Sequence, residues 1–174
     1  MSRLFGEIRQ NGYVVRDLAA AVRHWTEVIG VGPFYLLEHA RLPNCTYRGQ
    51  PADIQVSVAL AHSGPLQVEL IELENGAPSL YREFLEAGRE GLHHVAYIVP
   101  SIEEASACSR IPVAMAGASE TIRFAYLDCE THPGTVVELI ERSPAVESFF
   151  GKIEAAARDW SGADPRRSFA SLFE

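Results

Sequence analysis

The five-residue stretch VELIE occurs twice in this chain, at Val68–Glu72 and again at Val137–Glu141. The repetition extends further, because the segment QNGYVVRDLAAA that starts at Gln10 resembles the segment HVAYIVPSIEEA that starts at His94. Each of these longer segments has the pattern of a short apolar strand, a turn and the start of a helix. The sequence therefore predicts a duplicated module in which each copy ends on a VELIE strand.

The two copies predict the same order of elements: strand, helix, strand, strand, strand. The strands expected in the first copy are Asn11–Val15, Phe34–Arg41, Ile54–Ala61 and Leu66–Leu73, with a helix from the cap Asp17 to about Ile29. Those expected in the second copy are His94–Val99, Pro112–Ala116, Ile122–Leu127 and Thr135–Glu141, with a helix from Ser101. The fold class is therefore α+β, with a first βαβββ module at 8–75, a linker helix within 76–90, a second module at 91–142 and a C-terminal helix and tail at 143–174.

Composition and charge limit the classes of function. Hydrophobic residues make up 47% of the chain and charged residues 22%, which is typical of a globular protein. The formal net charge of −8 argues against nucleic acid as a partner, since phosphate binding needs a concentrated basic face. No apolar stretch is long enough to span a membrane, and the first residues do not resemble a signal peptide. Three separate cysteines without a CxxC pair favour reduced thiols and a cytoplasmic location.

Alternation along the VELIE strands separates the glutamates. Successive residues of a strand point to opposite faces, so Glu69 and Glu138 lie mid-strand on the face opposite the purely apolar one. A carboxylate in that position is costly unless it is paired, hydrogen-bonded or bound to a metal. Glu72 and Glu141 close their strands, and we expect them at the surface.

The first strand of each module contributes a second pair of candidates, Gln10 and His94. Both are followed by small or apolar residues on the same face, and the duplication can bring the two strands together. Three oxygen donors and one imidazole suit a divalent cation. The predicted metal ligands are Gln10, Glu69, His94 and Glu138. The neighbouring His93 is expected on the opposite face of its strand, and His62 in a solvated turn.

The repeated segments resemble the vicinal-oxygen-chelate superfamily, which includes glyoxalase I, methylmalonyl-CoA epimerase, extradiol dioxygenases and bleomycin-resistance proteins. The resemblance rests on QNGYVVRDLAAAVRHWTEVIGVGPF, LQVELIELE, GLHHVAYIVPSIEEA and HPGTVVELIE, and it covers roughly residues 8–142. It implies two βαβββ modules that form a curved mixed sheet around a metal-binding cup. The extradiol dioxygenases are disfavoured, because their iron site needs a second histidine that this chain lacks.

What the resemblance implies about function is a lyase or isomerase of the glyoxalase I or methylmalonyl-CoA epimerase type. One divalent metal ion, such as Zn, Ni, Co or Mn, would be bound by Gln10, Glu69, His94 and Glu138. Such enzymes abstract a proton next to a carbonyl and stabilise an enediolate on the metal. Glu138 is the expected catalytic base and Glu69 the second candidate.

Two alternatives remain open at this point. The alternative to a metal site is that the four residues form a polar cluster in a metal-free, small-molecule-binding protein of the same fold, as in the resistance branch. Within the enzyme hypothesis, the substrate is a small carbonyl compound or a thioester. We expect a homodimer, and the sequence leaves open whether the cup closes within one chain or across the dimer.

Overall fold

The computed structural model describes all 174 residues, Met1–Glu174. The strands are β1 (Ile8–Val15), β2 (Phe34–Arg41), β3 (Thr46–Tyr47), β4 (Gln50–Pro51), β5 (Gln55–Ser63), β6 (Leu66–Leu73), β7 (Gly91–Val99), β8 (Val113–Ala118), β9 (Arg123–Leu127), β10 (Val136–Glu141) and β11 (Arg166–Ser168). The helices are α1 (Leu18–Arg23), α2 (Leu80–Glu86), α3 (Ile102–Ser109) and α4 (Pro144–Ala157). A π-helical segment, His24–Ile29, continues α1, and a 3-10 turn, Phe169–Leu172, follows β11. The predicted α+β class is confirmed.

All strands belong to one mixed sheet in the order β11-β2-β5-β6-β1-β7-β10-β9-β8-β3-β4. Within each repeat, the first and last strands pair in parallel: β1 with β6, and β7 with β10. The two repeats join edge to edge through antiparallel pairing of β1 with β7. The last strands of both repeats therefore flank the central β1–β7 pair.

The duplication is visible in how the helices begin. Asp17 caps α1 by accepting a hydrogen bond from a backbone N–H three residues on, and Ser101 caps α3 in the same way. Glu72 accepts a further bond from Leu18 N at 2.7 Å, and Glu141 one from the N–H of the first residue of α3 at 3.2 Å. The expectation that Glu72 and Glu141 are plain surface residues is wrong. A carboxylate at the end of each last strand instead holds the start of its module's helix.

The outer face of the sheet is apolar and lies under the module helices. In the first module, Leu18 and Val22 of α1 pack on Val68 and Leu70 of β6. In the second module, α3 packs over Leu139 and its neighbours on β9 and β7. This is the face that strand alternation predicts to be free of carboxylates, and its burial fixes the strand register because a one-residue slip would turn Glu69 and Glu138 outward.

The inner face is covered by α2 and α4. Leu80, Tyr81 and Phe84 of α2 belong to a cluster of 18 buried residues that extends over the inner sides of both modules. Phe150 of α4 packs with Ala96 on the central strand β7. The predicted linker helix and C-terminal helix therefore both pack onto this chain's own concave face.

A connection from the first module reaches the far edge of the second. The short β3–β4 hairpin follows β2 in the chain, yet Thr46 of β3 pairs with Ala116 of β8. The first module thus adds the last two strands, β3 and β4, to the edge of the sheet formed by the second module. No helix is long and apolar enough to cross a membrane. The division into two modules, a linker and a tail stays a prediction.

Candidate metal centre

Gly12, on the inner side of β1, sets the position of the His94 ring. Gly12 pairs with Glu69 on β6 and with His94 on β7, so the carboxylate and the imidazole stand on either side of it. A Cβ atom at this position would lie only 1.8 Å from His94 Cε1. The imidazole therefore lies directly over the glycine backbone, in space that any side chain would fill.

Ala96 has the corresponding place on β7. It pairs with Gln10 on one side and with Glu138 on the other. Ala96 is fully buried, and its methyl group leaves room for longer side chains around it. The two small residues thus place Gln10 and Glu138 in one row across the sheet, next to the row that contains Glu69 and His94.

Three of the four predicted ligands converge on one point. One ligand atom each from Glu69, His94 and Glu138 lies within 4.8 Å of the others. His94 Nε2 is 3.3 Å from a carboxylate oxygen of Glu69 and 3.3 Å from one of Glu138. The side chain of His94 is completely buried, that of Glu138 is 7% exposed and that of Glu69 is 15% exposed. Glu69 is therefore the member of the group closest to solvent.

Buried polar atoms without a hydrogen-bond partner are concentrated here. Only four such side-chain atoms occur in the chain, and three belong to predicted ligands: Gln10 Oε1, His94 Nε2 and Glu138 Oε2. The fourth is Arg89 Nε. His94 Nε2 and Glu138 Oε2 face each other at 3.3 Å as an ion pair, but without the geometry of a hydrogen bond. Folded proteins satisfy most of their buried polar groups, and each one left without a partner costs about 1–3 kcal/mol. Two oxygens and an imidazole nitrogen are also a donor set that a divalent cation accepts, so these residues fit a metal.

The electrostatics agree with a crowded acidic site. Burial raises the pKa of Glu69, and the nearby charge of Glu138 raises it further. Burial alone would lower the pKa of His94, but the carboxylates of Glu138 and Glu69 raise it to about 9. Without a cation, the cluster therefore favours binding a proton at His94, which a metal would have to displace.

His93 lies on the same side of the sheet as His94, which corrects the prediction that it faces the opposite side. The β1–β7 register shifts between Gly12, which pairs with His94, and Tyr13, which pairs with Leu92, so His93 is the extra residue of a β-bulge. Its Nδ1 is 3.0 Å from His94 Nδ1. Burial lowers the pKa of His93 to about 2, so its ring is neutral.

His62 is also misplaced by the sequence prediction. It lies within β5 and is 3% exposed, whereas we expected a solvated turn. Its ring contacts Gln67, and Gln67 in turn accepts a hydrogen bond from Gln10 at 2.7 Å. Gln67 stands two residues before Glu69 and shares its face, so strand alternation in LQVELIE could have identified it.

Aromatic residues form the wall beside the imidazoles. The Tyr126 ring meets the His94 ring edge-on, with centroids 5.1 Å apart, and its hydroxyl is hydrogen-bonded to that of Tyr81 at 2.8 Å. A pocket of about 200 Å³ lies on the His93 side of this wall. Arg48 and Arg89 line it, and both are paired with carboxylates. Because Glu83 and Asp128 already neutralise Arg48, its guanidinium is disfavoured as a binding group for an anionic substrate.

Comparisons with known proteins agree with this architecture. The family described as the Glyoxalase/Bleomycin resistance protein/Dioxygenase superfamily matches residues 9–126, which is more than half of the chain. No protein of curated function matches at a significant level.

Three solved structures illustrate the likeness of fold. Methylmalonyl-CoA epimerase from Mycobacterium tuberculosis is 17% identical, with a TM-score of 0.56 over 85% of this chain and 95% of that one. A hypothetical protein from Bacillus halodurans C-125 is 22% identical, with a TM-score of 0.57 over 79% and 94% of the two chains. A variant of Streptomyces coelicolor methylmalonyl-CoA epimerase, in complex with 2-nitronate-propionyl-CoA, is 20% identical, with a TM-score of 0.53 over 80% and 96%. At these identities the likeness shows the fold.

Proposed function

The chain belongs to the glyoxalase/bleomycin resistance protein/dioxygenase superfamily, and from this premise we propose that it is a divalent-metal-dependent isomerase or lyase. The reaction is of the glyoxalase I or methylmalonyl-CoA epimerase type, in which a proton next to a carbonyl is removed and returned. The substrate class is a small carbonyl compound or thioester. The expected cytoplasmic location and homodimer stay predictions.

One observation supports the metal above all others: of the four buried side-chain polar atoms in the chain that make no hydrogen bond, three belong to the four residues predicted as ligands. A metal-free polar cluster in a folded protein normally closes its hydrogen bonds internally. Here the cluster contains two carboxylates and one imidazole, and the backbone leaves Gly12 and Ala96 without bulk beside them. A cation would satisfy these atoms together.

Each of the four predicted ligands has a proposed role. Gln10, Glu69, His94 and Glu138 would hold the metal, whose chemistry is that of a Lewis acid polarising a carbonyl oxygen. Glu138 is the proposed base because its carboxylate is nearly buried beside His94 Nε2, and its Oε2 makes no hydrogen bond. Glu69, at 15% exposure, is the second candidate and would face the substrate from the more open side. Tyr81 and Tyr126, which are both nearly fully buried, form the wall beside the His94 ring.

The first test is the metal content of the purified protein after divalent-metal supplementation and desalting, beside the variants Glu138→Gln and Glu120→Gln. We expect one divalent ion per chain in the parent and in Glu120→Gln, whose side chain is exposed and outside the site. Glu138→Gln should bind the ion much more weakly. A parent that takes up no metal from Zn, Ni, Co or Mn would contradict the proposal and favour the metal-free binding protein.

The second test separates metal binding from catalysis. Acyl thioesters, beginning with methylmalonyl-CoA, and α-hydroxy carbonyl compounds are incubated with the metal-loaded protein in D₂O. Exchange of the acidic C–H for deuterium, followed by mass spectrometry, reports proton abstraction without requiring that the product be known. We expect exchange with the parent and a loss of about 10²–10⁴-fold with Glu138→Gln. Exchange that is unchanged in Glu138→Gln but lost in Glu69→Gln would move the role of base to Glu69.

A further inference from the structure

We propose that His62 and Gln67 are positioning residues that fix the side-chain amide of Gln10 so that its oxygen, and not its nitrogen, is offered as a ligand. This inference deepens the proposed function and rests on it. It concerns what we call the Gln10 network, namely Gln10, Gln67, His62 and the backbone carbonyl of Gly64.

The network is a continuous series of buried hydrogen bonds. Gln10 Nε2 lies 2.7 Å from Gln67 Oε1, and Gln67 Nε2 lies 3.2 Å from His62 Nε2. His62 Nδ1 lies 3.2 Å from the carbonyl oxygen of Gly64 in the β5–β6 turn. Gln67 is fully buried, and Gln10 and His62 are each 3% exposed. The whole series is therefore nearly completely shielded from bulk solvent.

The hydrogen bond between His62 Nδ1 and the Gly64 carbonyl determines which group donates and which accepts in every other bond of the series. A backbone carbonyl can only accept, so His62 Nδ1 carries a proton that it donates to Gly64. Burial lowers the pKa of His62, so the ring is neutral and its Nε2 is an acceptor. Gln67 must therefore turn its NH₂ group toward His62 and its oxygen toward Gln10. Gln10 then donates its own NH₂ group to Gln67, which leaves Oε1 free.

The free atom is the one that a metal requires. Gln10 Oε1 is buried and has no hydrogen-bond partner. An amide oxygen is a good ligand for a hard cation, whereas an amide NH₂ has no lone pair to offer. If the network ran in the opposite direction, Gln10 would present NH₂ in the row that contains Ala96 and Glu138, and coordination would be lost.

The fold itself does not need this network. The residue that repeats Gln67 in the second module is Val136, at the same offset that relates the two VELIE strands. Val136 is buried at the same position of its strand, so an apolar side chain is accepted there. The role of the buried Gln67 amide is therefore to orient Gln10. Residues that contact metal ligands commonly fix the orientation of those ligands in this way.

Nitrogen-15 NMR of the imidazole rings in the metal-free protein tests the direction of the network without any metal. We expect His62 to be neutral, protonated at Nδ1 and bare at Nε2. A proton on Nε2 in the wild-type protein would overturn the inference, even if the protein binds metal as proposed. The expected tautomer in a protein that binds no metal would leave the orientation intact and count against the proposed function alone.

Variants at Gln67 supply the second measurement. Gln67→Met keeps the length of the side chain but removes both hydrogen bonds, so Gln10 can rotate and metal affinity should fall about 10- to 100-fold. Gln67→Glu still offers an acceptor oxygen to Gln10, and its second oxygen accepts a hydrogen bond from His62, which then also carries a proton at Nε2. The Gln10 NH₂ therefore still points away from the site, and affinity should stay within a few-fold of the parent. The control is Gln55→Met, on the neighbouring strand outside the network. Equal affinity in Gln67→Met and the parent, with both folded by circular dichroism, would overturn the inference.

Discussion

The two modules repeat each other's backbone but hold their candidate ligands differently. In the first, Gln10 is held from the side by Gln67, whose amide is in turn fixed by His62. In the second, the repeat of Gln67 is a valine, and His94 is held by its own neighbour, His93, which a β-bulge turns to the same side. The shared backbone decides where the ligands stand, and residues specific to each module decide which atom each ligand presents.

The two modules also differ in whether their first-strand ligand titrates. Gln10 is neutral at every pH, whereas the pKa of His94 is raised to about 9 by its two carboxylate neighbours against the effect of burial. The first module therefore contributes a constant donor. The second contributes a donor that must lose a proton before it can bind a metal.

The largest effect is expected at Gly12. The equivalent residue of the second module is Ala96, so the two modules differ here by one methyl group. Gly12→Ala places a methyl group 1.8 Å from His94 Cε1, so the imidazole must leave its position. We expect metal binding to be lost and stability to fall by ~1–3 kcal/mol, the usual cost of overpacking. The measurements are metal titration and urea unfolding.

Gly151→Ala is the matched control. Nothing lies within 4 Å of a Cβ at this position in α4, and alanine favours a helix by up to ~1 kcal/mol. If Gly12→Ala bound metal as tightly as the parent, the placement of His94 over the glycine backbone would be contradicted.

Metal affinity and stability should respond to pH in opposite directions. Because the pKa of His94 rises from 6.5 to about 9 on folding, its contribution to the stability of the metal-free protein is fully present below pH 6.5 and is lost as the pH rises through 9. Metal affinity should instead rise by about tenfold per pH unit up to pH 9, as the competing proton leaves His94.

The variant His94→Gln gives the second module the residue type of the first. It should flatten the rise in metal affinity over this pH range, because the remaining amide does not titrate. Metal titrations by calorimetry at pH 6.5 and 8.5, with urea unfolding of the metal-free protein at the same values, provide the comparison. A metal-free protein that becomes more stable between these values would contradict the assigned cause.

Much of the fold follows from the sequence, because the duplication supplies each element twice. The strands Phe34–Arg41 and Leu66–Leu73 were predicted with the bounds they have, and the apolar faces of the VELIE strands lie under helices as alternation requires. The short strands β3, β4 and β11 could not be predicted. They pair only at sheet edges, and their positions depend on how the sheet curves and not on local pattern.

The residues of the candidate site could be predicted from the sequence only where the strands are regular. Alternation placed Glu69 and Glu138 correctly on the inner face, and both lie beside His94. It failed at His93, because a β-bulge breaks the period of two and sequence alone does not reveal one. It also failed at His62, since the following serine and glycine suggested a turn, whereas β5 runs through Ser63 and the turn begins at Gly64.

His93 offers a test of how the second module fixes its ligand. Two Nδ1 atoms 3.0 Å apart share one proton, and His94 can offer Nε2 to a metal when its own Nδ1 carries that proton. His93→Phe removes the acceptor and should lower metal affinity about 10- to 100-fold. His93→Asn places an oxygen near the former Nδ1 and should restore most of it.

The control is His132→Phe, at an exposed histidine outside the site. If His93→Phe weakens binding as much as Gln67→Met, the two modules fix their ligands with equal effect by different means. Unchanged affinity in His93→Phe would show that His94 keeps its orientation without His93, and the contrast between the modules would then lie in the first alone.

The smallest effect concerns a feature that the modules share, the second glutamate of each VELIE. Glu72→Gln and Glu141→Gln each remove a charge that accepts a hydrogen bond at a helix start, and each should cost ~0.3–1 kcal/mol. Glu141 is also paired with Arg123 at 2.6 Å, but that pair is partly exposed to solvent and adds little. Because the two sites lie in different modules, the double variant should show the sum of the single effects to within ~0.5 kcal/mol. Urea unfolding of the three variants measures this. A loss confined to one module would mean that the duplicated carboxylate supports only one of the two helices, and that the symmetry of the backbone does not extend to its energetics.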